Sequence, residues 1–189
     1  MRKFGRSAEA PVARVELCRQ LAQRLLDRVG GASYLSSVVD ALPDVANAVL
    51  DGSDTVMLSG ETSVGKYPVQ TITNMQKIID STETESDMYN KWHPPAKDSA
   101  SFLPSSICYN AARLAEQVNA AAIVTLTYSG FTAIKISSHR PKAPIFTFTM
   151  NEDLIRDLSL VWGIRTFYFG ECDHINEYVE YTEDFLVSQ

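Results

Sequence analysis

Two short stretches hold the residue types from which a reaction or an anion site can be built. The first is Ser59-Gly60-Glu61-Thr62, two hydroxyls, a glycine and a carboxylate at the end of the apolar run Thr55-Val56-Met57-Leu58. A buried parallel strand delivers chemistry at its carboxyl end; there Ser59 and Glu61 could orient a water or relay a proton, and Gly60 would let backbone approach a ligand. A turn with a hydroxyl cap and a solvated glutamate accounts for the same letters. The second stretch is Thr127-Tyr128-Ser129-Gly130-Phe131-Thr132, directly after the apolar run Ala121 to Leu126 and directly before a helical pattern. The hydroxyls of Thr127, Ser129 and Thr132, the bend at Gly130 and the amides of a helix start make an anion seat suited to a phosphate. Ordinary capping by Ser129 or Thr132 is the competing account. Neither stretch contains Gly-x-Gly-x-x-Gly or Gly-Lys-Thr/Ser, so no dinucleotide fingerprint or P-loop is present.

Other reactive side chains group poorly along the chain. His93, His139 and His174 have no His-x-x-x-His spacing and suggest no metal set, so they read as surface or satisfied histidines. The run His139-Arg140-Pro141-Lys142 reads as solvated positive charge at a helix end. Trp92 and Trp162 read as packed aromatics, and the acidic stretch from Glu171 to Asp184 as the wet face of a helix.

The elements that must position the two loops follow from periodicity. Pro11 to Val29 spells an amphipathic helix stopped by Gly30-Gly31, and Pro43 to Gly52 a shorter helix with a stripe at Val45, Val49 and Leu50. A strand over Asp54 to Leu58 leads to the first loop, and a helix opened by Pro68 presents Val69, Ile72, Met75, Ile78 and Ile79. Polar residues around Pro94-Pro95, from Glu83 to Ser101, mark a linker. Beyond it lies a helix capped by Ser105 or Ser106 with the stripe Ile107, Ala111, Leu114 and Val118, then strands at 121–126, 144–148 and 164–169. Helices near 133–138, after Asn151 and over 175–187 separate or follow those strands. Strand and helix in alternation predict an α/β fold with a mostly parallel sheet and right-handed crossovers.

Composition limits what such a fold can do. With 189 residues, 45% hydrophobic and 21% charged, the chain has ample material for a core. Its 17 Lys and Arg against 23 Asp and Glu give a net charge of -6, which disfavours nucleic acid or an anionic membrane as partner. Cys18, Cys108 and Cys172 lie far apart and read as buried, reduced thiols. With no apolar run of membrane-spanning length and no signal-peptide pattern after the basic start, the expected location is cytoplasmic.

A family resemblance rests on specific words. Asp44-Val45-Ala46-Asn47-Ala48-Val49-Leu50-Asp51-Gly52, Met57-Leu58-Ser59-Gly60-Glu61-Thr62 and Gly65-Lys66-Tyr67-Pro68 resemble the last βα unit of the pyruvate kinase barrel. Thr127 to Ala133, Arg140-Pro141-Lys142-Ala143-Pro144-Ile145 and Trp162-Gly163-Ile164 resemble the carboxyl-terminal domain of the same family. The resemblance implies an α/β fold: a fragment of a (β/α)8 barrel over 43–82, a linker over 83–101, and a truncated α/β domain over 102–189, with 1–42 unassigned and helical. It implies a parent enzyme of glycolysis that transfers phosphoryl from phosphoenolpyruvate to ADP, giving pyruvate and ATP, with Mg²⁺ and K⁺ as cofactors. Ser59 and Glu61 would then belong to the network that delivers a proton to the enolate. Thr127, Ser129, Gly130 and Thr132 would hold the phosphate of a sugar phosphate effector, in an allosteric homo-oligomer. The metal-binding carboxylates and the enolate-stabilising Lys of earlier barrel strands have no counterpart, so this chain alone is expected to be inactive and to contain no metal ligands. Tyr128 and Phe131 stand where sugar-bisphosphate binders often carry Lys and Arg. The alternative is a non-catalytic regulatory module that binds a phosphorylated metabolite at 127–132.

Overall fold

The computed structural model describes residues 44–84, 88–170 and 175–187. The helix expected over Pro11 to Val29 and the stretch up to Leu42 lie outside the described residues, as do Cys18, Cys172 and His174. The chain divides into two compact units, Met1–Met88 and Tyr89–Gln189.

In the first unit, a helix whose described part is 44–51 (α1) buries Ala46, Val49 and Leu50 on one face. Gly52, at φ 97°, ends it as the pattern predicts, its N–H donating to the Val49 carbonyl while the Ser53 N–H reaches that of Ala48. The expected strand Asp54 to Leu58 does not form: residues 55–59 have no regular structure, and Met57 is 88% exposed. A parallel strand is defined by its ladder with neighbours, and apolar letters alone cannot supply one. The single turn α2 (Gly60–Ser63) follows, then α3 (Pro68–Thr82) with Pro68 at its first position. The buried side of α3 carries Asn74, Ile78 and Thr82, whereas Val69 and Ile72 of the expected apolar face are exposed.

The second unit is a three-stranded parallel sheet in the order β1-β2-β3, with β1 at Ile123–Leu126, β2 at Ile145–Thr149 and β3 at Ile164–Tyr168. Ile123 pairs with Ile145 and Ile145 with Ile164, so the strands are in register across the sheet. β2, flanked on both sides, is buried at every residue, which is why it reads as continuous Ile-Phe-Thr-Phe-Thr. Its alternate residues serve two cores. Ile145 joins Cys108, Ala112, Ala115, Ile123 and Ile136 on the face covered by α4 (Phe102–Gln117) and α5 (Phe131–Ser137). Phe146 and Phe148 face Tyr178 of α7 (Ile175–Val187), with Phe167, Phe169 and Phe185 packed around them. Between β2 and β3 runs α6 (Glu152–Leu158), whose N-cap Asn151 accepts the Asp153 N–H at 3.1 Å through its side chain. Leu154 and Leu158 of α6 pack on Ala133.

Helix α4 departs from its sequence reading. It starts at Phe102, with Ser101 as cap and Ser105 buried within it. Its core face is Ser105, Cys108, Ala112 and Ala115, while Ile107 and Leu114, expected inside, are 63% and 57% exposed. Small side chains three and four apart let a helix axis come close to a sheet, so packing selects them over larger apolar residues on the opposite side.

Candidate functional site

The first loop is a self-contained turn. The Ser59 carbonyl accepts the amides of Thr62 and Ser63 and both of their hydroxyls, the latter at 3.2 and 3.0 Å. In return the Ser59 N–H donates to the Glu61 carboxylate at 3.0 Å. Glu61 is fully exposed, and hydrogen bonds from its own backbone amide and that of Ser59 hold its carboxyl below the ordinary value. It is therefore an ionised acceptor folded over a helical turn. Gly65 closes the loop so tightly that a Cβ there would lie 2.0 Å from the Glu61 carbonyl oxygen. The Ser59 main chain and the Glu61 carboxylate thus meet on an exposed turn with a solvated glutamate, and not at the end of the buried strand expected there.

The second loop joins β1 to α5 at the carboxyl edge of the sheet. Thr127 is buried; its N–H donates to the Phe148 carbonyl at 3.1 Å, and its Oγ1 accepts the Gly130 N–H at 3.0 Å. Gly130 has φ +82° and leads into α5, where its carbonyl accepts the Ile134 N–H. Thr127 and Gly130 thus close the loop on each other, while Ser129 is exposed and Thr132 half-buried. Tyr128 points outward. The capping expected of Ser129 or Thr132 does not form: the helix is capped by Gly130, with no side-chain cap bond, and Thr127 is the hydroxyl that holds the turn.

A third constellation was missed in the sequence. His139 and Arg140, read there as solvated, are buried. The His93 and His139 rings stack at 6.4 Å, and the Arg140 guanidinium lies 4.7 Å from the Trp162 ring centroid. Trp92 and Trp162 are packed aromatics as expected, Trp92 edge-on to Tyr109 at 6.1 Å. The sequence signal was present only in pieces: aromatic and imidazole rings some 46 residues apart are joined by the fold and by no local period. Cys108 is buried and free, and burial pushes its thiol up. Among the described residues no three His, Cys, Asp or Glu side chains gather into a metal-binding group, and no helix is long and apolar enough to cross a membrane.

Comparison with known proteins agrees with this architecture. The pyruvate kinase alpha/beta domain family matches residues 105–189, and the pyruvate kinase barrel domain family matches residues 39–72. Pyruvate kinase 2 of Synechocystis sp. is 44% identical over 122 residues, covering 65% of this chain and 20% of that protein. The pyruvate kinase of Clostridium acetobutylicum is 32% identical over 183 residues, covering 88% of this chain and 38% of its own. Among solved structures, a pyruvate kinase from Cryptosporidium parvum superposes with a TM-score of 0.68 at 28% identity, over 94% of this chain and 38% of that one. Another, in complex with ADP, gives 0.61 at 34% identity, over 74% and 28%. The chain spans between a fifth and two-fifths of the length of these relatives.

Proposed function

We propose, from the premise that this chain belongs to the pyruvate kinase family, that it forms the carboxyl-terminal part of an enzyme that transfers phosphoryl from phosphoenolpyruvate to ADP. The observation that carries the reading is that barrel-domain and alpha/beta-domain matches occur in one chain, at 39–72 and 105–189, with a parallel sheet in the second. Such transfers are dominated by positioning and electrostatic stabilisation. Glu61, as an ionised acceptor fixed against Ser59, suits the task of orienting a water or hydroxyl that passes a proton to the enolate. Ser59 would be its hydroxyl partner. The described residues do not fit a Mg²⁺ site, since they assemble no three-residue His, Cys, Asp or Glu group; ligands for Mg²⁺ and K⁺ would come from the rest of a whole enzyme.

The same premise makes the β1–α5 loop a seat for the phosphate of an allosteric effector. The exposure of Ser129 and the partial exposure of Thr132 at a helix start support that reading, with Thr127 and Gly130 holding the loop's shape. The exposed Ile107 and Leu114 on α4 support a homo-oligomer, which charge at Leu114 would weaken; an unchanged sedimentation coefficient for Leu114→Lys would count against it.

A lactate-dehydrogenase-coupled assay with phosphoenolpyruvate, ADP, Mg²⁺ and K⁺ tests the first reading. This chain by itself should show no turnover, and a chain extended through the rest of a barrel should be active. Glu61→Gln in that extended chain should lower kcat by roughly 10²-fold, within the usual contribution of positioned proton transfer. An extended chain with full kcat after Glu61→Gln would sink the assigned role. Calorimetric titration of a sugar phosphate into wild type and Thr132→Ala tests the seat, which requires weaker binding by the variant.

A further inference from the structure

Residues 89–93 form a strap held to the second unit at successive positions. The Tyr89 ring tilts against Trp162 at 6.1 Å. Asn90, in the left-handed region at φ 56°, donates its main-chain N–H to the Arg140 carbonyl at 2.7 Å and its side-chain amide to Glu116 at 2.7 Å. Trp92 packs on the core group that contains Cys108 and Ala112, and His93 stacks on His139 with an interplanar angle of 24°. His139 is where the Trp92 and His93 ends of the strap meet the domain. Only 3% exposed, it has the Tyr109 ring edge-on at 5.4 Å and Trp92 at 6.2 Å. Its Nδ1 is buried with no hydrogen-bond partner.

We propose that His139 is an acid-operated catch: the neutral imidazole, seated among Trp92, His93 and Tyr109, holds residues 89–93 on the domain, and its protonation releases them. A proton added at Nδ1 would find no acceptor there, and a buried cation without one is costly. The charged and titratable groups around the ring offer little relief. The strap brings Lys91 and His93, α5 brings Lys135, and Arg140 is next in the chain. α4 brings Tyr109, with Arg113 over its ring at 5.7 Å, and Glu116, the one carboxylate of the set, which is engaged by Asn90. Burial is the main cause that lowers the affinity of His139 for a proton; His93 and Lys135 lower it further, against the opposing hydrogen bond to Lys91. Opening the strap exposes the ring to water and restores an ordinary value near 6.5. The open state therefore binds the proton more tightly. Closure is fully favoured above that value and loses about tenfold per pH unit below it, until the closed-state value is reached.

Amide hydrogen exchange on the whole chain, corrected for intrinsic rates, tests the catch at about pH 7.5 and about pH 5.5, on either side of the ordinary imidazole value. The Asn90 amide, bonded to Arg140, should lose protection at the lower pH, by up to about tenfold. The Ile145 amide, bonded to Gly163 within the sheet, should keep its own. In His139→Phe, which keeps a packed ring without a titrating nitrogen, the loss at Asn90 should vanish. No loss in wild type, an equal loss at Ile145, or the same loss in His139→Phe each overturns the proposal. If that variant does not fold, the wild-type imidazole titration of His139 by NMR decides: a loss at Asn90 that follows the ring's titration supports the catch, and one with a different midpoint overturns it.

Discussion

Replacing Gly130 by alanine should destabilise the second unit by about 2 kcal/mol. Two costs act at this position. At φ +82° an L-residue with a Cβ is strained, by roughly 1–2 kcal/mol. The added Cβ would also sit 2.9 Å from Leu154 Cδ1, with Leu158 and Ile134 methyl groups at 3.5 and 3.7 Å. Leu154 Cδ1 is the far end of a flexible side chain, so the overlap can be relieved by a rotamer shift costing about 1 kcal/mol or less. Relief by moving the backbone instead would break the bond from the Gly130 N–H to Thr127 Oγ1, leaving a buried donor unsatisfied. With a urea dependence of about 1–3 kcal/mol per molar, the unfolding midpoint should fall by about 1 M. Gly130→Asn separates the two costs, because asparagine tolerates the left-handed region yet carries the same Cβ. It should be milder than alanine if backbone strain dominates and equal to it if contact with Leu154 dominates. A midpoint for Gly130→Ala within about 0.2 M of wild type would refute the account of the loop, since the strain alone exceeds that.

Three further outcomes follow from the described geometry. Amides of Val56 to Leu58, which lack a strand ladder, should exchange much faster than those of Ile123 to Leu126; equal protection would contradict the loss of the expected strand. Asn151→Ala, which removes the acceptor for the Asp153 N–H, should cost about 1 kcal/mol in urea unfolding, and an unchanged midpoint would show that the cap adds nothing. Burial pushes the Tyr178 hydroxyl up to about 12 from an ordinary 10. Because the folded state holds that proton more tightly, its contribution is fully present below pH 10 and is lost as pH rises toward 12. Phenolate absorbance should show one tyrosine ionising later than the rest, and Tyr178→Phe should remove that late step; a titration unchanged by the substitution would rule out the assignment.

The order of elements in the second unit was readable because its strands are bounded by turn residues and its middle strand is a short run of β-branched and aromatic residues. Ile145 to Thr149 needs no alternation, since both faces are covered, and Asn151 with Glu152 and Asp153 spells a helix start that the structure forms. Gly52 and Pro68 mark a helix end and a helix start for equally local reasons, a left-handed turn and a missing N–H. The pairing of Ser59 with Glu61 is also local, two residues apart in one turn.

What the letters did not determine was which surfaces would be covered. The run Thr55 to Leu58 has strand composition, but a strand exists only when another main chain lies beside it, and none does among the described residues. Ile107 and Leu114 are more hydrophobic than Ala112 and Ala115, yet the smaller pair is inside because a sheet admits a helix only as near as its side chains allow. Buried His139 and Arg140 follow from the same cause: the return of residues 89–93 across the domain encloses them with Trp92 and Trp162. Sequence by itself thus determined what depends on backbone dihedrals and neighbours within a turn, whereas burial and long-range ring contacts were decided by tertiary packing, because they depend on the distance between surfaces that no local pattern encodes.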